Sequence, residues 1–536
     1  MNEPIGLTFY FGFEKEEKTW EREIQRLSAC NIRYLLIQNF YWEIFLKDES
    51  YRAKTHLFLD VCAKNNVRCL LTIMPSYTDY GFPSHNFGVF SESKTKRIIN
   101  AACEVSKELV DCKALFGYYI DDEPPWRWDI TPESWRDQRE DFEKNYEVPF
   151  PQSLEKATER QRAAYMKWIL GKYTAYVKRF KKAVKNVNPN LKISIRFNPE
   201  AYQSGFIKVA NEVDFILVDL YPGWFGDPVL YNRSVGFYSK INRDLLRRPF
   251  VFILQAHRII LGHQPKPSEI LRWGQEALRE GASGLGWLTS DFYGMEGRYR
   301  PTYYNSIERW GAVEELCREM KIYLSEVGDV AVIVPLENAY YGTFNFNYLC
   351  YAYHFLRSTG IPFTFLGDYE AKNKVLDDYK VVLLAGQKYA CASLLKSLEA
   401  YIQNGGILVA CLRDLRFNEN GEPLTAYLTK VFGIRKLQAP DQARFYIVLT
   451  ETFGDLKEGI DSLPVSKESI LLMVRKDIKV VGKTSRSNKP IIVSSKFGKG
   501  KAYYVGTNMF EASLHASIGW KWHRFFKGIV DKTEYR

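Results

Sequence analysis

The chain has 536 residues, of which 46% are hydrophobic, 26% charged and 15% aromatic, and it carries a formal net charge of +11. That length exceeds one ordinary core, so a large domain with at least one smaller companion is expected, of the composition of a soluble globular protein. Lysine and arginine are interleaved with acidic residues, as in KTWEREIQR, and no window approaches 18 uninterrupted apolar residues, which argues against a nucleic-acid partner and against a membrane span.

From residue 5 to about 320 the sequence alternates short apolar runs with amphipathic ones eight times, the pattern of a (β/α)8 barrel. The predicted strands are 5–13, 34–41, 68–75, 115–121, 192–198, 214–221, 250–256 and 283–289. Between them TWEREIQRLSAC, SYRAKTHLFLDVCAKN, KTKRIINAACEVSKELV and PSEILRWGQEALREG repeat apolar residues every three and four positions, as the outer helices of a barrel require. The fourth strand, LFGYYIDDEPP, ends in three carboxylates and two prolines. Proline cannot continue a ladder, so Asp121, Asp122 and Glu123 are expected at the rim. Neighbouring strand residues face opposite ways, so at most two of the three share a side, and their repulsion is expected to raise at least one pKa toward that of a general acid. The alternative is an Asp-rich turn at a strand end.

Residues 126–160, rich in charge and tryptophan, read as an elaborated rim loop that shapes a pocket. The basic run Lys178–Lys185 reads as the solvated face of a helix. From about residue 327 the pattern changes: GDVAVIVPLENAYYG, IPFTFLGDYEA, YKVVLLAGQ and GGILVACLRD, with a last strand delayed until GKGKAYYVGTNMF, describe a doubly wound α/β unit with a β-rich insertion at about 420–495. The expected domains are therefore 1–325 and 326–536. Nine widely spaced cysteines, mostly inside apolar runs, read as reduced thiols, and the amino terminus lacks a basic-then-apolar leader; a cytoplasmic location is expected. The 35 Tyr, 34 Phe and 12 Trp suit either sugar stacking or an aromatic-rich, thermostable core. His257 and His263 do not have metal-ligand spacing, and neither a G-x-G-x-x-G after the first strand nor a Walker loop is present, so no metal and no cofactor are expected.

The opening GLTFYFGFEKEEKTWEREIQRLSACNIRYLLIQNFYWEIF, the fourth-strand IDDEP, and a second domain with VVLLAGQ, AYIQNGGILVA and GKGKAYYVG together resemble the family 42 β-galactosidases and related barrel glycosidases. The resemblance implies a glycoside or oligosaccharide substrate, a glutamine-amidotransferase-like trimerisation domain without that chemistry (Gln387 and Lys388 occupy the elbow where its Cys would stand), and a homotrimer. It also implies that Glu123 is the general acid/base, with Asp122 where the family usually has Asn. The family's nucleophile is a Glu at the end of strand seven, where this chain has Gln255, and an amide cannot form a glycosyl ester. Three resolutions stay open: another rim carboxylate attacks (Glu43, Glu200, Asp219, Asp291 or Glu296); a 2-acetamido oxygen of the substrate attacks, with Asp122 orienting the amide and Tyr221 holding the oxygen; or the barrel binds sugar without cutting it. Trp42, Trp126, Trp128, Trp224 and Trp287 at strand ends are candidates for stacking on a pyranose ring. Gln38, Asn39, Arg196, Asn198 and His257 are candidates for hydrogen bonds to hydroxyls.

Overall fold

The computed structural model describes residues 3–10, 13, 17–73, 92–122, 136–153, 155–198, 205, 207–222, 234–246, 248–256, 264–287, 307–323, 328–371, 375–440 and 445–532. The chain divides into two compact units, 1–157 with 164–325, and 158–163 with 326–536.

The first unit is a closed barrel of eight parallel strands in sequence order: β1 (Ile5–Tyr10), β2 (Tyr34–Ile37), β3 (Arg68–Thr72), β4 (Leu115–Asp122), β5 (Lys192–Phe197), β6 (Phe215–Leu220), β7 (Phe250–Leu254) and β8 (Gly284–Trp287). Each begins within a residue of its expected position, because the apolar run that starts it must reach the interior. The runs end earlier than their apolar character suggests. The chain turns at the rim, and Trp42, for example, opens a short helix, Trp42–Lys47, instead of closing β2. Alternation sets Ile5, Leu7, Phe9, Leu36, Leu70, Tyr119, Phe215, Leu217, Val251 and Ile253 on the axis as one buried cluster. On β8 the inward positions are Gly284 and Gly286. A Cβ at Gly286 would lie 2.4 Å from Ile253 Cδ1, so the filled interior leaves room only for glycine there.

The basic run lies on the helix Glu159–Val187. It is not simply solvated: Lys181 and Lys185 pair with Asp214 at 2.9 and 3.1 Å, Lys178 with Glu212 at 3.3 Å, and Arg179 with Glu92 at 2.8 Å. The run anchors its helix to the neighbouring connections. Within the expected rim loop the structure has a helix, Arg136–Tyr146, whose Phe142 sits in an aromatic cluster with Phe150, Tyr165 and Trp168.

The second unit is built on β9 (Val330–Val334), β10 (Phe363–Gly367), β11 (Val381–Leu384), β12 (Ile407–Cys411), β13 (Ile434–Gln438), β14 (Ile447–Leu449), β15 (Ser462–Leu463), β16 (Leu471–Val474), β17 (Lys479–Thr484), β18 (Pro490–Phe497) and β19 (Gly500–Val505). Nine of these form one sheet in the order β10-β9-β11-β12-β19-β18-β17-β14-β15, and β13 pairs with β16. The first five are parallel and their register is doubly wound; β18, β17, β14 and β15 add antiparallel pairs. The strands between β12 and β19 are the β-rich insertion, so the delayed final strand read from GKGKAYYVG is β19, beside β12. All nine cysteines are free thiols, six of them buried. Among the described residues no helix is long and apolar enough to cross a membrane.

Candidate active site

The carboxyl ends of the barrel strands carry a polar layer directly above the apolar core, and β4 shows how it is aimed. Tyr119 lies opposite Ser194, but Asp122 lies opposite Arg196, so three residues of β4 span two of β5. That bulge keeps Tyr119 and Asp122 on the same, inward face and turns Asp121 outward. Asp121 is fully buried and accepts 2.5 Å from the Tyr173 hydroxyl of the helix Glu159–Val187 and 2.9 Å from the Asp122 amide. Burial, and secondarily the Asp121 charge, pushes the phenols of Tyr173 and Tyr176 well above their ordinary range. The two aspartates therefore have separate donors in separate layers, and the expected crowding is relieved between them.

Asp122 is the centre of the inward set. Its Oδ1 accepts from the Tyr119 hydroxyl at 2.6 Å and pairs with Arg196 Nη2 at 2.6 Å, while Oδ2 accepts from Gln38 Nε2 at 3.3 Å. Arg196, inward on β5, is 7% exposed; its guanidinium lies 5.2 Å from the Phe9 ring centroid and its Nε 4.0 Å from Asp219 Oδ2. Burial works against its charge, yet Asp122, Tyr119, Asp219 and Tyr221 hold its pKa well above the ordinary value. Asp219 is buried on the inward face of β6, level with Ile253 of β7. Gln255 follows two residues beyond Ile253, fully buried, so the strand-seven position is an amide enclosed one step above the core. Tyr221, half-buried after β6, packs against the core cluster, and Asn198 is half-buried after β5.

The structure thus brings Gln38, Asp122, Arg196 and Asp219 into one connected network, with Asn198, Tyr221 and Gln255 on the neighbouring strand ends. Three tryptophan and carboxylate candidates stand elsewhere. Trp287 pairs with Thr8 and Leu254, not with the inward Leu7 and Ile253, and is fully buried, so its ring lies on the helix-facing side of β8 and offers no stacking face at the mouth. Trp42 lies under the Arg97 guanidinium at 5.5 Å, and Glu43 is paired with the same arginine. Asn39 is half-buried and its carbonyl accepts 3.4 Å from Tyr51. Sequence reasoning missed Tyr119. Glu123, His257 and Asp291, together with Trp126, Trp128, Glu200, Trp224, His263 and Glu296, lie outside the described residues.

A closed parallel barrel with a polar, charge-bearing mouth, continuing into a doubly wound domain, is the two-domain architecture of a barrel glycosidase with an assembly domain. Residues 350–519 match the model of the β-galactosidase trimerisation domain. Across its whole length the chain resembles the family 42 β-galactosidases in fold. It superposes on the β-galactosidase from Rahnella sp. R3 with a TM-score of 0.82 at 15% identity, covering 100% of this chain and 89% of that one. On Gan42B, a GH42 β-galactosidase from G. stearothermophilus, the TM-score is 0.80 at 14% identity, covering 98% and 88%. GH5_18 from Streptomyces cattleya, solved in complex with GlcNAc, matches with a TM-score of 0.52 at 12% identity, covering 72% of this chain and 98% of that one. No curated protein matches the chain.

Proposed function

We propose that this chain is a glycoside hydrolase that removes a terminal β-linked sugar, in the manner of a β-galactosidase, with Glu123 as general acid/base. The observation that carries the reading is the Asp122-centred polar layer at the end of β4, immediately before Glu123 in sequence, in a barrel whose fold relatives include family 42 β-galactosidases. Glu123 protonates the departing glycosidic oxygen and then takes the proton of the incoming water. The residues of the inward layer, Gln38, Asn198, Tyr221 and Gln255, bind the hydroxyls, and the second carboxylate is displaced from strand seven. Asp219, Asp291, Glu200, Glu296 and Glu43 are its candidates. We assign the second domain to homotrimer assembly, so that light scattering would give about three times the 62.4 kDa chain mass, and we place the enzyme in the cytoplasm.

Two observations favour a second reading, attack by a 2-acetamido group of the substrate: the buried amide of Gln255 supplies no nucleophile, and Asp122 beside the acid is an acceptor for an amide N–H. The GlcNAc bound in the Streptomyces cattleya structure supports the same class of sugar. Hydrolysis of nitrophenyl β-galactoside, β-glucoside, β-mannoside and β-N-acetylglucosaminide by wild type and Glu123→Gln tests both readings. Release from a 2-hydroxy sugar, cut at least a hundredfold in the variant, supports the displaced nucleophile. Release confined to the acetamido sugar supports substrate assistance, and no release from any of them overturns the hydrolase reading.

A further inference from the structure

The partners of Asp122 determine what that side chain can offer a ligand. Among the described residues all three are donors: the Arg196 guanidinium and the Tyr119 hydroxyl on Oδ1, and the Gln38 amide on Oδ2. A carboxyl 2.6 Å from a guanidinium is ionised and can only accept. The two short bonds fall on the same oxygen, so Arg196 and Tyr119 fix which oxygen is turned into the protein. Oδ2, whose contact with Gln38 is the longer one at 3.3 Å, is the oxygen with capacity left for a further donor. The side chain keeps 10% of its surface exposed.

Arg196 is built to serve that carboxylate. It sits on the adjacent strand, level with Asp122 because of the β4 bulge, with Phe9 against its face and Asp219 at 4.0 Å on its other side. A guanidinium placed between two carboxylates and a ring has its charge committed inside the protein, and it does not serve as the receptor of a substrate anion.

We infer that Arg196 is a specificity-determining residue: it holds Asp122 as an obligate acceptor in the sugar site, so the mouth takes a neutral or N-acylated sugar presenting an O–H or N–H there and rejects one that has only acceptors. The inference rests on the glycosidase reading for the ligand being a sugar. Where the family likeness has an Asn, able to donate and accept, this chain has a one-way contact. In Asp122→Asn, the amide oxygen stays with Arg196 and Tyr119, and the amide nitrogen takes the Oδ2 place and donates. The preference at that position then weakens or reverses without any change of volume.

Calorimetric binding of galactose, N-acetylgalactosamine and 2-deoxy-2-fluorogalactose, and of the same three in the gluco series, tests this independently of turnover. Wild type should bind the better of the 2-hydroxy and 2-acetamido sugars at least tenfold more tightly than the 2-fluoro sugar. Asp122→Asn should bring the ratio within threefold, and Arg196→Lys, which restores the positive charge, should keep most of it. Arg196→Met strands two buried carboxylates and serves only if its melting profile stays cooperative. Equal affinity of wild type for the donor and the fluoro sugars overturns the inference, whatever the enzyme hydrolyses. Donor-selective binding that Asp122→Asn leaves unchanged also overturns it. Selective binding lost in Asp122→Asn, with no glycoside ever cleaved, sustains the inference and overturns the hydrolase reading, and no sugar binding at all overturns both.

Discussion

Each unit encloses an aspartate just beyond the end of a parallel sheet, and the two are held in opposite ways. Asp122, at the barrel mouth, is met by a guanidinium, a phenol and a side-chain amide from three different strands or strand ends. Asp414, just beyond β12, is fully buried and is met by the protein backbone: Oδ1 accepts from the amides of Gly386 and Gln387 at 2.8 and 2.6 Å, and Oδ2 from Cys411 at 2.7 Å. Side-chain partners can be exchanged to suit a ligand, whereas amide partners fix the course of the chain. Asp414 ties the loop after β11 to the end of β12, at the very place where an amidotransferase nucleophile would stand, and Gln387 there turns its Nε2 back to the Tyr389 carbonyl at 2.7 Å. One carboxylate is arranged for recognition and the other for architecture.

The largest way to break this contrast is Arg196→Met. Removing the cation leaves Asp122 and Asp219 buried without their shared partner, and a loss of about 3–5 kcal/mol is expected in urea unfolding of the barrel. Asp414→Ala should come next. It abandons three backbone donors in a dry site and is expected to cost about 2–4 kcal/mol, read from the unfolding of the second unit. A loss under 1 kcal/mol would mean that water replaces the carboxylate.

A pH series sharpens the comparison. Burial pushes Asp414 up to about 7 against the pull of its three amides. Unfolded, it returns to the ordinary aspartate range, so between roughly pH 4 and 7 the folded chain holds a proton that the unfolded one has released. Its stabilising contribution is therefore complete below pH 4 and is lost as the pH rises through 7. Relative to Asp414→Asn, the wild-type melting temperature of the second unit should fall by several degrees from pH 5 to 8. Parallel curves for the two proteins would show that the amides keep the group ionised throughout. The smallest effect belongs to the surface: Arg179 and Glu92 make two 2.8 Å bonds but are 45% and 60% exposed, so Glu92→Gln should cost less than 1 kcal/mol and nothing measurable in 1 M salt.

Much of this architecture was legible because apolar periodicity is a direct consequence of burial. The eight barrel strands, the doubly wound order and the delayed β19 all follow from it. So does the isolation of Gln255, since a polar residue closing the run FVFIL can lie only at a strand end. The pairing of Asp122 with Arg196 was not legible, because it depends on one extra residue in β4, and a bulge shifts every facing residue after it without leaving a mark in composition. Gly117 is the nearest hint: a Cβ there would lie 1.8 Å from the Lys192 carbonyl, so β4 must already approach β5 unusually closely. Trp287 was misassigned for a reason the sequence did contain. In GLGW the two glycines take the inward places, and strict alternation then sends the tryptophan outward. The lysine run looked solvated because its acidic partners, Glu212 and Asp214, lie beyond an intervening strand.

The enclosed amide after β7 also has a genetic meaning. Glutamine codons become glutamate codons by a single change in the first base, so Gln255 stands one nucleotide from the carboxylate that its fold relatives would use. The amide and the acid have almost the same shape, and the site would meet the reversion as a change of charge alone. Whatever activity this barrel now has, the other chemistry of its architecture lies within reach of one point mutation, and a random library of modest size would sample it.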